Sequence, residues 1–422
     1  MNKYKKITLS NKVPLITIPI KGATTATVLI MFKTGSRYEV KSNNGISHFL
    51  EHMFFKGTKK RPNTLTLSSE LDSLGGEYNA FTSKEFTGYW VKVASGKLNI
   101  ALDIVGDMLL NSTFDAAEIE KEKGVIIEEL NMYEDNPIMH VEDVFETVLY
   151  GDSPAGWETI GTKKNIRNFT RTDFLKYFKT QYGAKSAYVV LAGGIKKKDL
   201  EAAKKIFSTL GANAWKNKLA VQEKQSAPQF KIINKKIDQV NLSVGVRAYP
   251  IGHPEELKVR LLSVILGGSM SSRLFIRLRA NNGLAYSVHT STEFYTDSGY
   301  LTTQAGVPIA KTETALEIII DEYRKITQTK VSAAELKRAK DLFAGKMLIQ
   351  MEATDDLASW YARQVVLRPA LMTPAEFLKR LNKITAADLQ ETAQKIFRND
   401  RLNLAVIGNL KNDKKIKALL HF

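Results

Sequence analysis

The sequence predicts an α+β protein built as two homologous α/β-sandwich halves, each a mainly antiparallel sheet packed with helices. Length, an internal repeat and the alternation of strand-like with helix-like segments carry that expectation. At 422 residues the chain exceeds one ordinary core, and two domains of roughly 200 residues each are what surface-to-volume scaling favours. The repeat appears in segments of both types. Ala101-Leu-Asp-Ile-Val105 leads to Asp115-Ala-Ala-Glu-Ile119, and Ala315-Leu-Glu-Ile-Ile319 leads to Ser332-Ala-Ala-Glu-Leu336. Near the end of each half, Asp173 precedes the apolar run ending at Gly193, and Asp388 precedes the run ending at Gly408, both pairs 215 residues apart. Helical and strand segments recurring at a steady offset argue for two copies of one unit.

The elements follow in chain order. Residues 7–14 alternate in polarity and end at Val13-Pro14, which reads as a first β-strand and not as the continuous apolar run of a signal peptide. Ser47 to Phe55 reads as a helix. Tyr78–Ser83 and Phe86–Ala94 read as a hairpin pair. Asp115 to Tyr133 reads as a longer helix opening at a cap cluster of Ser112, Thr113 and Asp115. The stretch from Gly211 to Pro228, rich in Asn, Lys, Gln and Ala, reads as the link between copies. The expected organisation is therefore a metal-binding half at 1–212, a linker at 213–228 and a homologous half without metal at 229–422.

Hydrophobic residues at 44% and charged residues at 25% describe a water-soluble globular chain. No apolar stretch approaches the roughly 18 residues a membrane span needs, so no membrane partner is expected and the cytoplasm is the default location. The net charge of +17 raises a nucleic-acid reading. The lysines are scattered along helical faces, as at 196–198, 235–236 and 414–415, with no nucleic-acid motif, so no nucleic-acid partner is expected. Cysteine is absent, which removes disulfides and thiolate ligands and leaves histidine and carboxylate as the means of holding a metal.

His48-Phe-Leu-Glu-His52 is an H-x-x-E-H motif. Positions i and i+4 of a helix project both imidazoles from one face, about 6 Å apart, as two ligands of one tetrahedral zinc require. Glu51 projects near that face. Zinc lowers the pKa of a bound water towards about 7, and a neighbouring carboxylate can take its proton. The flanking Ile46, Phe49, Leu50, Met53 and Phe54 mark a largely buried helix, where two histidines and a glutamate without partners would be expensive. A third ligand should be a carboxylate, and Glu128 and Glu129 on the second helix are both candidates. Glu122 lies seven residues before Glu129, two turns along one face, so these two could act as supporting residue and ligand.

The motif continues as Met53-Phe-Phe-Lys-Gly-Thr-Lys-Lys-Arg61, then Gly75-Gly-Glu-Tyr-Asn-Ala-Phe-Thr-Ser83, Glu120-Lys-Glu-Lys-Gly-Val-Ile-Ile-Glu-Glu129 and Met132-Tyr-Glu-Asp-Asn-Pro137. Together these resemble the pitrilysin and insulin-degrading-enzyme family of inverzincin zinc peptidases, over nearly the whole chain, and most nearly its short-chain branch with mitochondrial processing peptidase. The resemblance implies a zinc metalloendopeptidase with one Zn2+ per chain, held by His48, His52 and Glu129, the last placed by alignment on Gly124-Val-Ile-Ile127. It makes Glu51 the catalytic base and Glu122 the family's additional acidic residue. Strand 78–83 resembles the edge strand on which an unfolded peptide lies as an added β-strand, with Asn79 and Ala80 near the scissile bond and Phe81 lining a pocket.

The second half has Lys346 where the repeat would place Glu129, and 261–268 in place of the motif contains no histidine. Arg279 and Tyr286 match the family's arginine–tyrosine pair, suited to gripping a substrate carbonyl or carboxylate and to stabilising an oxyanion. Long family members carry four such units in one chain and this one carries two. The resemblance therefore implies a homodimeric chamber in which each zinc half faces the Arg279/Tyr286 half of the other subunit. Its alternatives are a heterodimer with a zinc-less homologue and a non-catalytic, processing-peptidase-like subunit.

Overall fold

The computed structural model describes residues 3–410 and 413–422. Its strands are β1 (Lys5–Thr8), β2 (Pro14–Pro19), β3 (Thr25–Phe32), β4 (Glu77–Thr82), β5 (Thr87–Ala94), β6 (Ala187–Gly193), β7 (Gln229–Asn234), β8 (Gln239–Arg247), β9 (Ser287–Phe294), β10 (Gly299–Pro308) and β11 (Leu402–Gly408). They form two sheets, ordered β1-β2-β6-β3-β5-β4 and β7-β11-β8-β10-β9.

Set β1 aside and the two orders coincide strand for strand. Each has one parallel pair at the same place, β2 with β6 and β7 with β11, and antiparallel pairing elsewhere. The fold is α+β, two mainly antiparallel sheets packed with helices, as the repeat predicts. One strand was expected at 7–14. There the chain makes two, because the backbone turns at 9–13: Leu9 and Val13 are bonded N–H to O at 2.9 Å and Lys12 takes a left-handed φ of 69°. The 78–94 hairpin stands where alternation places it, and the second helix spans Ala116–Asp135 with the Asp115 carboxylate accepting from the backbone N–H of Ala117 and Glu118.

The chain divides into two compact units. One comprises residues 1–131, 158–219 and 348–373, the other 132–157, 220–347 and 374–422. These differ from the linear halves at two helices, and the reason lies in the sheets. Strands such as β3 and β8 are buried along nearly their whole length, so both faces of each sheet need cover. In the first unit the helix Thr354–Leu367 supplies it, packing Leu357, Ala358, Tyr361 and Val366 on Ile16, Leu29, Met31 and Val190. Its first residue is tied to the sheet by a bond between the hydroxyls of Thr354 and Thr27 at 2.8 Å. In the second unit the helix Pro137–Tyr150 packs Val141, Val144, Phe145 and Leu149 with Tyr295, Tyr300, Ala405 and Ile407.

The linker stretch carries no helix or strand from 211 to 228, yet its first part is anchored in the first unit. The Trp215 indole donates to the Lys33 carbonyl at 2.8 Å, and the Gln181 amide to that of Lys216 at 3.3 Å. Among the described residues no helix is long and apolar enough to cross a membrane.

Candidate metal centre

The site is built in the first unit on two helices and the free edge of the sheet. The first helix, Ile46–Met53, opens at Gly45 with φ 100°, and a Cβ there would stand 2.6 Å from the Ile160 carbonyl oxygen, so only glycine fits. Ile46, Phe49, Leu50 and Met53 are buried, with the Phe49 ring edge-on to Phe174 at 4.8 Å between centroids. That leaves His48, Glu51 and His52 together on the remaining face. The imidazole centroids lie 4.8 Å apart.

The 116–135 helix presents its residues to this face at helical spacing. Ile119, Glu122, Ile126 and Leu130 are buried, and Glu129 lies on the same side, partly buried. Glu128 is exposed, one residue and about 100° round the helix. The structure thus brings Glu129, and not Glu128, to the histidines. His48 Nε2 is 3.6 Å from Glu129 Oε1, and His52 Nε2 is 3.5 Å from Glu129 Oε2. Those separations exceed the usual 2.7–3.2 Å of a nitrogen–oxygen hydrogen bond. They match the edge of a tetrahedron instead, because ligands held at about 2.0–2.2 Å from zinc stand about 3.4 Å apart. One ligand atom from each of the three residues falls within 4.8 Å of the others, and no other group of three among the described residues does so.

The surroundings also favour a cation. Glu51, Glu122 and Glu129 gather about the two imidazoles. Burial pushes His52 down, but a hydrogen bond to Glu122 and the charges of Glu129 and Glu51 more than reverse it, leaving His52 above its ordinary pKa. Positive charge is therefore stabilised at this point. Glu122 fixes the ring, with its Oε1 2.9 Å from His52 Nδ1, so that Nε2 turns to Glu129. Lys56 Nζ holds the other Glu122 oxygen at 2.5 Å. Burial raises Glu122, and the bonds to His52 and Lys56 outweigh it, keeping it below the usual carboxylate range. His48 Nδ1 is buried without a hydrogen-bond partner among the described residues, so its ring is held by packing. A histidine–histidine–carboxylate set of this spacing fits zinc.

Glu51 differs from the other carboxylates. Burial raises its pKa, opposed by a hydrogen bond from Thr82 and by the two histidines, and reinforced by Glu129. Thr82 Oγ1 donates to Glu51 Oε2 at 2.5 Å. Thr82 ends β4, the edge strand, and strand alternation puts Ala80 and Tyr78 on its face and Asn79 and Phe81 on the other. Phe81 packs its ring on Phe86 and over Gly88, where a Cβ would come within 2.3 Å of the ring. Asn79 is exposed, and its Oδ1 accepts from the Ala80 N–H at 2.8 Å.

In the second unit, Arg279 and Tyr286 are together. The Arg279 guanidinium lies 5.0 Å from the Tyr286 ring centroid, and Tyr286 is 78% exposed. Sequence reasoning missed Thr82 and Lys56. Thr82 sits inside the quoted strand motif, two residues past Ala80 and so on its face, which was a usable signal. Lys56 lies beyond the end of the first helix, and nothing in its spacing points to Glu122.

Comparisons with known proteins identify the family. Residues 16–163 match the family described as Insulinase (Peptidase family M16), and residues 168–343 match the Peptidase M16 inactive domain. The chain is 33% identical over 397 residues to the zinc protease YmxG of Bacillus subtilis, covering 94% of this chain and 96% of that protein. It is likewise 33% identical over 402 residues to a zinc protease of Rickettsia bellii, covering 95% of this chain and 96% of that one. In fold it resembles the crystal structure of a protease from Helicobacter pylori, with TM-score 0.92, 24% identity and coverage of 97% of this chain and 100% of that chain.

Proposed function

This chain belongs to the insulinase-type peptidase family M16, and from that premise we propose that it is a zinc-dependent endopeptidase or oligopeptidase acting on unfolded peptides. The observation that carries the reading is the convergence of His48, His52 and Glu129 beside a buried Glu51 that touches the edge strand. One Zn2+ per chain, held by those three side chains, would supply Lewis-acid polarisation of the scissile carbonyl and of the attacking water.

The chain's own groups do the rest. Thr82 occupies Glu51 Oε2, which leaves Oε1 to accept the proton of the attacking water and to return it to the departing amine. The raised pKa of Glu51 suits a group that must both take and give that proton. Glu122, kept charged by Lys56, holds the His52 ring so that its Nε2 stays available as a ligand. Among the described residues β4 pairs on one side only, so a peptide can add along its free edge at Asn79, Ala80 and Phe81. The substrate's backbone then supplies most of the binding, which selects extended, unfolded chains over folded ones. The exposed Tyr286 phenol and the Arg279 guanidinium stacked on it suit an oxyanion and a substrate carbonyl. We assign them to a neighbouring subunit of a homodimeric chamber, or of a heterodimer with a zinc-less homologue. The reading takes neither nucleic acid nor a membrane as partner.

The test is cleavage of an internally quenched, unstructured peptide by protein of measured zinc content, with Glu51→Gln beside it. Turnover that disappears with a chelator, returns with zinc and is lost in Glu51→Gln is the expected result. Undiminished turnover by Glu51→Gln would remove the base from Glu51. Sedimentation of the active species decides between dimer and monomer.

A further inference from the structure

The segment at 35–44, between β3 and the first helix, touches both parts of the site without contributing a ligand. Its early residues grip the turn that joins β4 to β5. Ser36 N–H donates to the Ser83 carbonyl at 3.2 Å and Arg37 N–H to that of Lys84 at 2.9 Å. Gly35 approaches so closely that a Cβ would lie 2.1 Å from the Ser83 oxygen. The Arg37 side chain then donates to Glu85 Oε1 in the same turn at 2.7 Å and to the Leu219 carbonyl at 3.2 Å, while Lys218 Nζ stands 3.2 Å from Glu85.

Two residues later the segment grips the helix. Glu39 Oε2 accepts from Gly45 N–H at 2.8 Å and from the Asn44 amide at 3.0 Å, and Glu39 Oε1 accepts from Ser47 N–H at 2.8 Å. The helix has no side-chain cap of its own at Gly45, so this carboxylate satisfies its first N–H groups. Arg37 and Glu39 are 1% and 3% exposed. Burial pushes the Glu39 carboxyl up to about 7 against the pull of its bonds to Ser47, Gly45 and Asn44. Buried ionic groups of this kind give little net stability compared with apolar packing, so stability alone does not account for them.

We propose that residues 35–44 form a bracket that sets the edge strand β4 against the helix carrying His48, Glu51 and His52, with Arg37 the positioning residue for the strand and Glu39 for the helix. The two ends act on different functions. Glu39 governs where the histidines stand, and hence metal affinity. Arg37 governs where β4 stands, and hence which peptide bond is presented. The second half of that statement rests on the peptidase reading above, and the first does not.

The test uses the full-length protein in three measurements: zinc affinity by competition with a chromophoric chelator, cleavage positions in an unstructured peptide by mass spectrometry, and amide exchange of residues 77–87. Glu39→Gln should weaken zinc binding by about 10-fold, as loss of support behind a metal ligand does, and leave the cleavage positions unchanged. Arg37→Met should leave zinc affinity within about twofold, speed exchange in β4 and spread cleavage over neighbouring bonds. Val189→Ala, a core change in β6 that lowers Tm without touching the segment, should move none of the three. Equal effects of both variants on zinc and on strand exchange, or a fall in Tm with nothing else, would overturn the proposal. If Glu39→Gln or Arg37→Met does not fold, Glu39→Asp and Arg37→Lys carry the same split, and failure of all four to fold assigns the segment a structural role only. A wild type that binds zinc but cuts no peptide ends the peptidase reading, while zinc affinity and exchange still decide the bracket.

Discussion

Replacing Thr82 by valine removes one hydroxyl from beside Glu51 and little else, since the two side chains have nearly the same shape. The lost bond runs from Thr82 Oγ1 to Glu51 Oε2 at 2.5 Å, at a part-buried carboxylate whose pKa burial already raises. Hydrogen bonds to charged groups contribute about 1.5–3 kcal/mol. If the bond serves to hold Glu51 in the attacking geometry, that energy is lost from the transition state, and kcat falls by roughly 10- to 100-fold at about 1.4 kcal/mol per decade. The Thr82 hydroxyl bonds to Glu51 and not, among the described residues, to His48, His52 or Glu129, so zinc content should be unchanged and KM nearly so. The Thr82 bond also lowers the Glu51 pKa. Its removal raises that pKa further, so the acid limb of the rate profile, which requires an ionised base, should move to higher pH. The assay is kcat and KM on a quenched peptide at matched zinc content across pH 5–9, with Thr82→Ser as the rescue that restores the donor. Wild-type kcat in Thr82→Val would refute the reasoning. Equal loss in valine and serine variants would show that the position matters for packing and not for its hydroxyl.

Three further outcomes follow from the same geometry. Glu122→Gln loses the charge behind His52 Nδ1 and strands Lys56, so zinc affinity measured by chelator competition should fall about 10- to 100-fold while the fold is retained. Glu129→Gln should abolish stoichiometric zinc in metal analysis, whereas Glu128→Gln, on the exposed side of the helix, should leave it at one per chain. For Glu39, a folded-state pKa of about 7 against an ordinary 4.5 means the fold favours the protonated form. Its contribution is fully present below about pH 4.5 and lost as pH rises to about 7, by roughly 3 kcal/mol at 1.36 kcal/mol per unit. Urea unfolding of metal-free wild type and Glu39→Gln should therefore show wild type losing ground to the variant between pH 5 and 7 and holding level above. A difference that stays constant with pH would mean that Glu39 does not titrate there.

What the sequence revealed and what it concealed divide along the reach of the interactions. His48, Glu51 and His52 were legible because helical periodicity alone puts i, i+3 and i+4 on one face, and no other residue is needed to see it. The choice between Glu129 and Glu128 turned on the phase of one helix against another. The sequence held half of that answer in the seven-residue spacing from Glu122, which marks the face but not which way it looks. Thr82, Lys56, Arg37 and Glu39 act through contacts with elements distant in the chain or with irregular backbone, where no period exists to betray them. The same holds for the helices at 137–150 and 354–367. Amphipathic patterning announces that each has an apolar side, but it does not say which of two similar sheets that side will cover.

The two repeats differ in how this helix is held. In the second unit the helix corresponding to 46–53 runs from Glu256 to Gly267, with Val259, Leu261, Leu262, Ile265 and Leu266 buried. Its entry is held from within by Glu256, which accepts from Gly252 N–H at 2.8 Å and pairs with Arg260. The first-unit helix has eight residues, and three of them face the metal centre instead of a core. So short a helix is marginal by itself, because nucleation is unfavourable and few hydrogen bonds follow it. Giving up apolar contacts to present His48, Glu51 and His52 makes it more so. Its placement must then come from outside: from Glu39 at its start, from Phe174 against Phe49 on its buried side, and from Glu122 and Glu129 opposite its polar face. The second copy has no metal face to present, with leucine and isoleucine in that stretch and Lys346 in the place of Glu129, and can hold its helix by its own packing. The anchors around the first helix are thus the structural counterpart of keeping a metal face, which is why charged groups, Glu39, Glu122 and Glu129, join the apolar contact of Phe174 in holding it.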